Sequence, residues 1–318
     1  MTAFVQIQGL RKKYDNNGPF AVGPNEDGLN LEIKEGEIFS LLGPNGAGKT
    51  TTISMMSTLL TPTSGEVTIG GYSVTRDPLG AKKQIGVVPQ EIALYPTLTA
   101  RQNLHFFGKM YGLGGRELQS RTAEVLDFIG LKDRADDRVE EYSGGMKRRV
   151  NIGVGLMHRP RLIFLDEPTV GIDPQSRRSI LDTVKLLNQE GMTVLYTTHY
   201  MEEAEELSHR IGIIDHGEII ALGTLEELTR KVGEQDSVLF DVDQVPDGVE
   251  SQLSALEGVQ QTIVQEAEIQ VMCTDSNAIL SQAIDILTRN GVTLHSVEVQ
   301  EPDLEAVFLH LTGRALRD

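Results

Sequence analysis

The run Gly43-Pro44-Asn45-Gly46-Ala47-Gly48-Lys49-Thr50 fits the spacing GxxxxGK[ST], in which each residue type answers a need of phosphate chemistry. Glycines let backbone N–H groups close around phosphate oxygens, and a helix starting there turns the positive end of its dipole toward them. Lys49 is placed to reach the outer phosphates, and the Thr50 hydroxyl to ligate Mg²⁺. The pattern needs a strand before it and a helix after it. Ile38 to Leu42 reads as the strand and Thr51 to Leu60 as the helix, with Thr51 a further candidate for nucleotide binding. A glycine-rich turn matching by chance is the competing reading, and the flanking elements count against it.

Leu162-Ile163-Phe164-Leu165-Asp166-Glu167-Pro168 is an apolar strand ending in two carboxylates. A charge beside a buried strand is costly unless a cation or hydrogen bonds compensate it. Asp166 suits Mg²⁺ held through water, and Glu167 suits accepting a proton from an attacking water. Taken alone, the tripeptide could be a solvated turn, since Pro168 ends the strand by removing a ladder donor. Ser143-Gly144-Gly145 precedes a helix expected over Met146 to Met157, which makes it a natural anion site and equally an ordinary N-cap. Lys147, Arg148 and Arg149 fall in the first turn of that helix. Positive charge there opposes the dipole at about 0.3–1 kcal/mol each, a cost that a docked anion would offset.

These residues need elements to position them. Four apolar runs, Ile38 to Leu42, Ile85 to Val88, Leu162 to Leu165 and Val194 to Thr198, read as buried strands. Polar or glycine-rich elements follow them, at Gly43, Gln90, Asp166 and His199. Alternation with helices predicts a mostly parallel α/β sheet, and in such sheets ligands bind beyond the carboxyl ends of the strands. From 91 to 157 the pattern turns helical, with glycine breaks at Gly112 to Gly115, which predicts a helical subdomain inside a first domain of residues 1–224. Residues 225–318 read as a short helix, then strand, helix, two strands, helix, strand and a final helix. That order predicts a small α+β domain of ferredoxin-like type.

A length of 318 residues suits two domains. No apolar run approaches the roughly 18–20 residues that cross a bilayer, so any membrane role is expected to come through a partner chain. Met1 to Leu10 lacks the pattern of a signal peptide, and the single cysteine, Cys273, excludes an internal disulfide and fits a reducing cytosol. Net charge is −17, and residues 225–318 hold 18 acidic and 5 basic residues, a balance of −13. So acidic a tail would be repelled by nucleic acid and by anionic lipid. The histidines other than His199 show no metal-ligand spacing with one another or with Cys273.

Together the glycine-rich loop, the Asp166-Glu167 strand and Ser143-Gly144-Gly145 resemble the ABC ATPase family over about residues 4 to 224, the last being similar to its signature motif. The resemblance implies a P-loop ABC ATPase domain that binds ATP and Mg²⁺. Two such subunits would pair head to tail, each ATP lying between one P-loop and the other subunit's Ser143 segment. The catalytic residues implied are Glu167, His199 and Lys49, with His199 contacting the γ-phosphate. Gln90 would sense Mg²⁺ and the membrane partner, Asp173 would bridge the two subunits, and Tyr14 would stack on adenine. An isolated His199 or Gln90 would instead suit a core or loop residue, and Tyr14 a core aromatic. Gly23 to Asp27 reads as a hairpin-loop extension between Tyr14 and the P-loop strand.

Met146 followed by basic residues, and the tail from Ser296 to Phe308, resemble the branch of daunorubicin- and antibiotic-resistance ATPases. The resemblance implies an exporter subunit at the cytoplasmic face of the membrane, coupled to a separate ABC-2 type permease and moving drug, antibiotic or lipid-like cargo. A nucleic-acid partner is not expected. The main competitor is a soluble ABC-fold ATPase acting on nucleic acid or ribosome; a single P-loop, no sustained heptad run and the acidic tail count against it. An importer motor with a regulatory domain fits the tail and Met146 less well. The tail itself is expected to stabilise a dimer or regulate it, against the plainer reading of a solubilising lid.

Overall fold

The computed structural model describes residues 3–15, 18–232, 236–246, 248–265, 267–300 and 303–312. The chain divides into two compact units, one extending to Leu222 and one beginning at Gly223.

In the first unit, strands β4 (Ile38–Leu42), β7 (Ile85–Val88), β8 (Leu162–Asp166), β9 (Thr193–Thr198) and β10 (Arg210–Asp215) run parallel in the order β10-β4-β9-β8-β7. Strand β11 (Glu218–Gly223) lies beside β10. Every residue of β4, β8 and β9 is buried, as expected of parallel strands covered on both faces. Alternation sends the side chains two ways. Ile163 and Leu165 enter a core shared with helices α5 (Gly144–Leu156) and α6 (Pro174–Gln189), whereas Leu162 and Phe164 enter a second core with an antiparallel layer. That layer joins β1 (Ala3–Lys13), β2 (Phe20–Val22), β3 (Leu29–Lys34), β5 (Ser64–Ile69) and β6 (Tyr72–Ser73). The segment from Gly23 to Asp27 is the loop between β2 and β3, where the Arg11 guanidinium donates to Gly23 O at 3.0 Å.

Helix α1 (Lys49–Met56) starts two residues earlier and stops sooner than the run Thr51 to Leu60 suggests. Thr58 is left-handed (φ 64°), and the N–H groups of Leu59 and Leu60 both return to Ser54 O. Leu59 is therefore part of a C-terminal turn and stands 74% exposed. Helix α2 (Pro78–Gln84) leads into β7. Between β7 and β8 come α3 (Ala100–Met110), started by a Thr99/Gln102 capping box, then α4 (Gly115–Phe128) and α5. Helix α7 (Met201–Leu207) follows β9.

The second unit has four antiparallel strands, β12 (Asp236–Val242), β13 (Val259–Gln265), β14 (Glu268–Cys273) and β15 (Leu294–Gln300), in the order β13-β14-β12-β15. Helices α9 (Val249–Ser254) and α10 (Ser276–Arg289) form a core with one face of this sheet, around Val238, Phe240 and Val271. Helices α8 (Leu225–Val232) and α11 (Leu304–Thr312) pack on one another. No helix among the described residues is long and apolar enough to cross a membrane.

Candidate functional site

The glycines of the P-loop serve different ends. Gly46 and Gly48 have φ values of 81° and 105°, where a side chain is strained. Gly43 has no such angle, but a Cβ there would lie 2.1 Å from Ile214 O, so the turn out of β4 closes only without one. Pro44 O accepts from Ala47 N at 3.2 Å, folding the loop back before α1 begins. A cleft of about 200 Å³ results, lined by the loop and by Lys49 to Thr51 at the start of α1, with Ala21, Gln90 and Glu167.

Lys49 is 4% exposed. Its Nζ donates to Gly43 O at 2.6 Å and Pro44 O at 3.0 Å, and lies 2.9 Å from Glu167 Oε1. Gln90 Nε2 donates to Glu167 Oε2 at 3.3 Å, and His199 Nδ1 is 3.5 Å from that same oxygen. Three of the strand ends thus deliver Lys49, Gln90 and His199 to the carboxylate of Glu167, which the fourth supplies. Glu167 itself is left-handed (φ 43°), held there by its N–H bonds to Thr197 O (3.1 Å) and Thr197 Oγ1 (3.0 Å). A non-glycine residue in that region costs of order 1–3 kcal/mol and marks a constraint supplied by its surroundings.

Asp166 ends β8 and accepts from Thr197 Oγ1 at 2.7 Å. Burial holds its pKa above the ordinary carboxylate value, with the Thr197 hydroxyl and the nearby Thr50 hydroxyl offsetting part of that rise. Thr197 therefore braces both carboxyl-bearing residues and was not anticipated from sequence; the available signal was a pair of buried threonines ending an apolar strand. Tyr14 follows β1 and is 65% exposed, so it is not a core aromatic, and its hydroxyl lies 3.1 Å from Thr51 Oγ1.

Ser143, Gly144 and Gly145 do not line this cleft. The helix begins at Gly144, earlier than the expected Met146, and Ser143 is its N-cap, accepting from Met146 N at 3.3 Å. The expectation that an anion relieves the basic first turn is corrected for two of its three residues. Arg148, 3% exposed, turns inward to donate to the carbonyls of Pro89 and Gln90, and Arg149 donates to Ile129 O at 3.0 Å. Their charge is spent on backbone carbonyls, one pair of which holds the Gln90 loop in place.

Asp173 caps α6, accepting from Ser176 N at 2.9 Å, and that hydrogen bond lowers its pKa. The same turn packs on Gly145, where a Cβ would stand 2.2 Å from Ser176 Oγ and 2.3 Å from its Cβ. A Gly145→Ala chain is expected to lose about 1–3 kcal/mol to overpacking, read in thermal melts, and several-fold in turnover. Adding Ser176→Gly should recover both; a melt unchanged by Gly145→Ala would show that the two turns are not tightly packed.

Residues 27–170 match the ABC transporter family. The linearmycin resistance ATP-binding protein LnrL of Bacillus subtilis (strain 168) is 52% identical over 92% of this chain and 94% of its own length. The daunorubicin resistance ATP-binding protein DrrA3 of Streptomyces coeruleorubidus is 38% identical over 97% of this chain and 96% of its own. A solved ATP-binding cassette, dimeric in a post-hydrolysis state bound to ADP and Pi, superposes with a TM-score of 0.62 at 31% identity, over 69% of this chain and 98% of that one. With a cleft at the glycine-rich loop, a braced pair of carboxylates and relatives matched along nearly their whole length, the chain belongs to the ABC transporter family as one of its ATP-binding, ATP-hydrolysing subunits.

Proposed function

We propose that this subunit powers export through a separate ABC-2 type permease, acting at the cytoplasmic face of the membrane as a head-to-tail dimer. The observation that carries export is the match, over both compact units, to ATP-binding proteins named for linearmycin and daunorubicin resistance. The cargo class is accordingly a drug, antibiotic or lipid-like molecule. Pairing is supported within the chain. Ligand pockets usually enclose ~300–1,000 Å³, and this cleft, of about 200 Å³, is smaller than that. Ser143 to Gly145 stand outside it. A second copy placed head to tail would bring its Ser143 segment over the exposed side of the nucleotide, with Asp173 at the junction.

The donor set fits Mg²⁺. Thr50, Asp166 and Gln90 offer hard oxygens, and no group of three or more His, Cys, Asp or Glu suited to a metal occurs among the described residues. A site with one carboxylate and otherwise neutral donors suits an ion that keeps water and phosphate ligands. Bound Mg²⁺ would neutralise phosphate charge as the β–γ bond breaks. Lys49 would leave Glu167 for the β- and γ-phosphates, freeing that carboxylate to take the proton of the attacking water. His199 and Gln90 would hold the γ-phosphate and water in line, and Tyr14, already exposed beside Thr51, would stack on adenine.

The region from 225 to 318 serves as an accessory domain of ferredoxin-like type that stabilises or regulates the dimer. Its order of strand, helix, two strands, helix and strand, with the first and third strands at the sheet centre, supports that reading. The test is affinity purification of the full chain from native membranes, which is expected to recover a permease. Recovery of ribosomes or DNA alone would overturn the transport reading.

A further inference from the structure

Glu203 is 2% exposed and lines no part of the phosphate cleft. It sits on α7, the helix that directly follows His199 and Tyr200 in the chain. Glu203 Oε2 accepts from Tyr196 Oη at 2.8 Å and from Thr198 Oγ1 at 2.9 Å, and that threonine oxygen in turn accepts from Tyr200 N at 2.9 Å. The residues on both sides of His199 are thus fastened to one buried carboxylate. A carboxylate so deeply buried is costly unless its oxygens are engaged. Its second oxygen is not fully engaged: Oε1 faces Arg177 Nε at 3.7 Å, and neither atom has a hydrogen-bond partner among the described residues.

Arg177 belongs to the first turn of α6, where its N–H bonds to Asp173 O at 2.8 Å. Its guanidinium lies over the Tyr200 ring at 4.4 Å, and that ring packs against the His199 ring with centroids 4.2 Å apart. One arginine therefore touches the Asp173 turn through the backbone, Glu203 through charge, and the neighbour of His199 through a cation–π contact.

We propose that Glu203 and Arg177 are positioning residues that set the orientation of His199, and that the loose Arg177–Glu203 pair tightens or slackens with the Asp173 turn. Turnover then depends on how that turn is seated. This inference rests on the reading of His199 as the residue contacting the γ-phosphate.

The test is a double-mutant cycle between Glu203→Gln and His199→Ala, read by steady-state ATP hydrolysis in the full chain. The amide in Glu203→Gln can keep an acceptor oxygen toward Tyr196 and Thr198 while setting an NH₂ group against Arg177. In the wild-type background kcat is expected to fall about tenfold with KM for ATP within twofold, and in the His199→Ala background no further fall is expected. Equal losses in both backgrounds, or no loss in the wild type, would overturn the proposal. If His199→Ala itself leaves turnover unchanged, the assignment of His199 fails instead. Arg177→Gln, at a side chain 35% exposed, provides a second route should Glu203→Gln fail to fold. It should show the same dependence on His199, and independent, additive loss there would equally sink the idea.

Discussion

A Glu167→Gln chain should bind ATP as tightly as the parent, hydrolyse it at least about a thousandfold more slowly, and elute as a dimer when ATP is present. General-base catalysis contributes roughly 10²–10⁴ to a rate, and Glu167 is the residue proposed to supply it. Two features make glutamine the informative replacement. The left-handed backbone at Glu167 is held by Thr197 through the main chain, so it does not depend on the side chain being charged. The amide also keeps an oxygen for Lys49, so the P-loop lysine is not set adrift. What is lost is the ability to accept a proton. Size-exclusion chromatography with ATP, alongside a binding titration and a phosphate-release assay, separates the three expectations. Normal turnover would remove Glu167 from the role, and lost binding would show that the substitution had disturbed the cleft itself.

The parts of this site that sequence makes legible are those whose chemistry is local. A GxxxxGK[ST] loop between a strand and a helix carries its geometry in neighbouring residues, and an apolar strand ending in Asp166-Glu167 announces a cost that something must meet. The convergence at four strand ends follows from parallel topology alone. What sequence hides is where long side chains travel. Arg148 and Arg149 look alike beside Gly145, yet one reaches back to Pro89 and Gln90 and the other to Ile129. Their targets are set by packing of α5 against β7 and α4, which no local pattern encodes. Glu203 is hidden for a related reason. The run Met201–Leu207 holds four glutamates, and only the placement of α7 on β9 decides that Glu203, with Ala204 and Leu207, faces inward. The early end of α1 turns on Thr58 adopting a left-handed angle, a choice that a threonine gives no cause to expect.

Lys49→Ala should damage two properties at once, and the pairing of Lys49 with Glu167 predicts how to separate them. The first is affinity. Two charge-assisted hydrogen bonds to phosphate at about 1.5–3 kcal/mol each imply at least about a hundredfold weaker ATP binding. The second is stability in the absence of nucleotide. Lys49 Nζ lies 2.9 Å from Glu167 Oε1, with side chains 4% and 5% exposed, so truncation leaves a buried carboxylate without that cation. Removing one member of a buried pair costs about 3–5 kcal/mol, chiefly through the charge left behind. Gln90 offsets part of this through its bond to the other oxygen. Combining Lys49→Ala with Glu167→Gln should therefore restore much of the lost stability in urea denaturation while restoring none of the ATP affinity. A double variant as unstable as Lys49→Ala would mean that the pair is not an energetic unit. Retained affinity in either variant would mean that Lys49 does not hold phosphate. If both expectations are met, ATP enters by taking Lys49 from Glu167, and the base is released at the moment its substrate is in place.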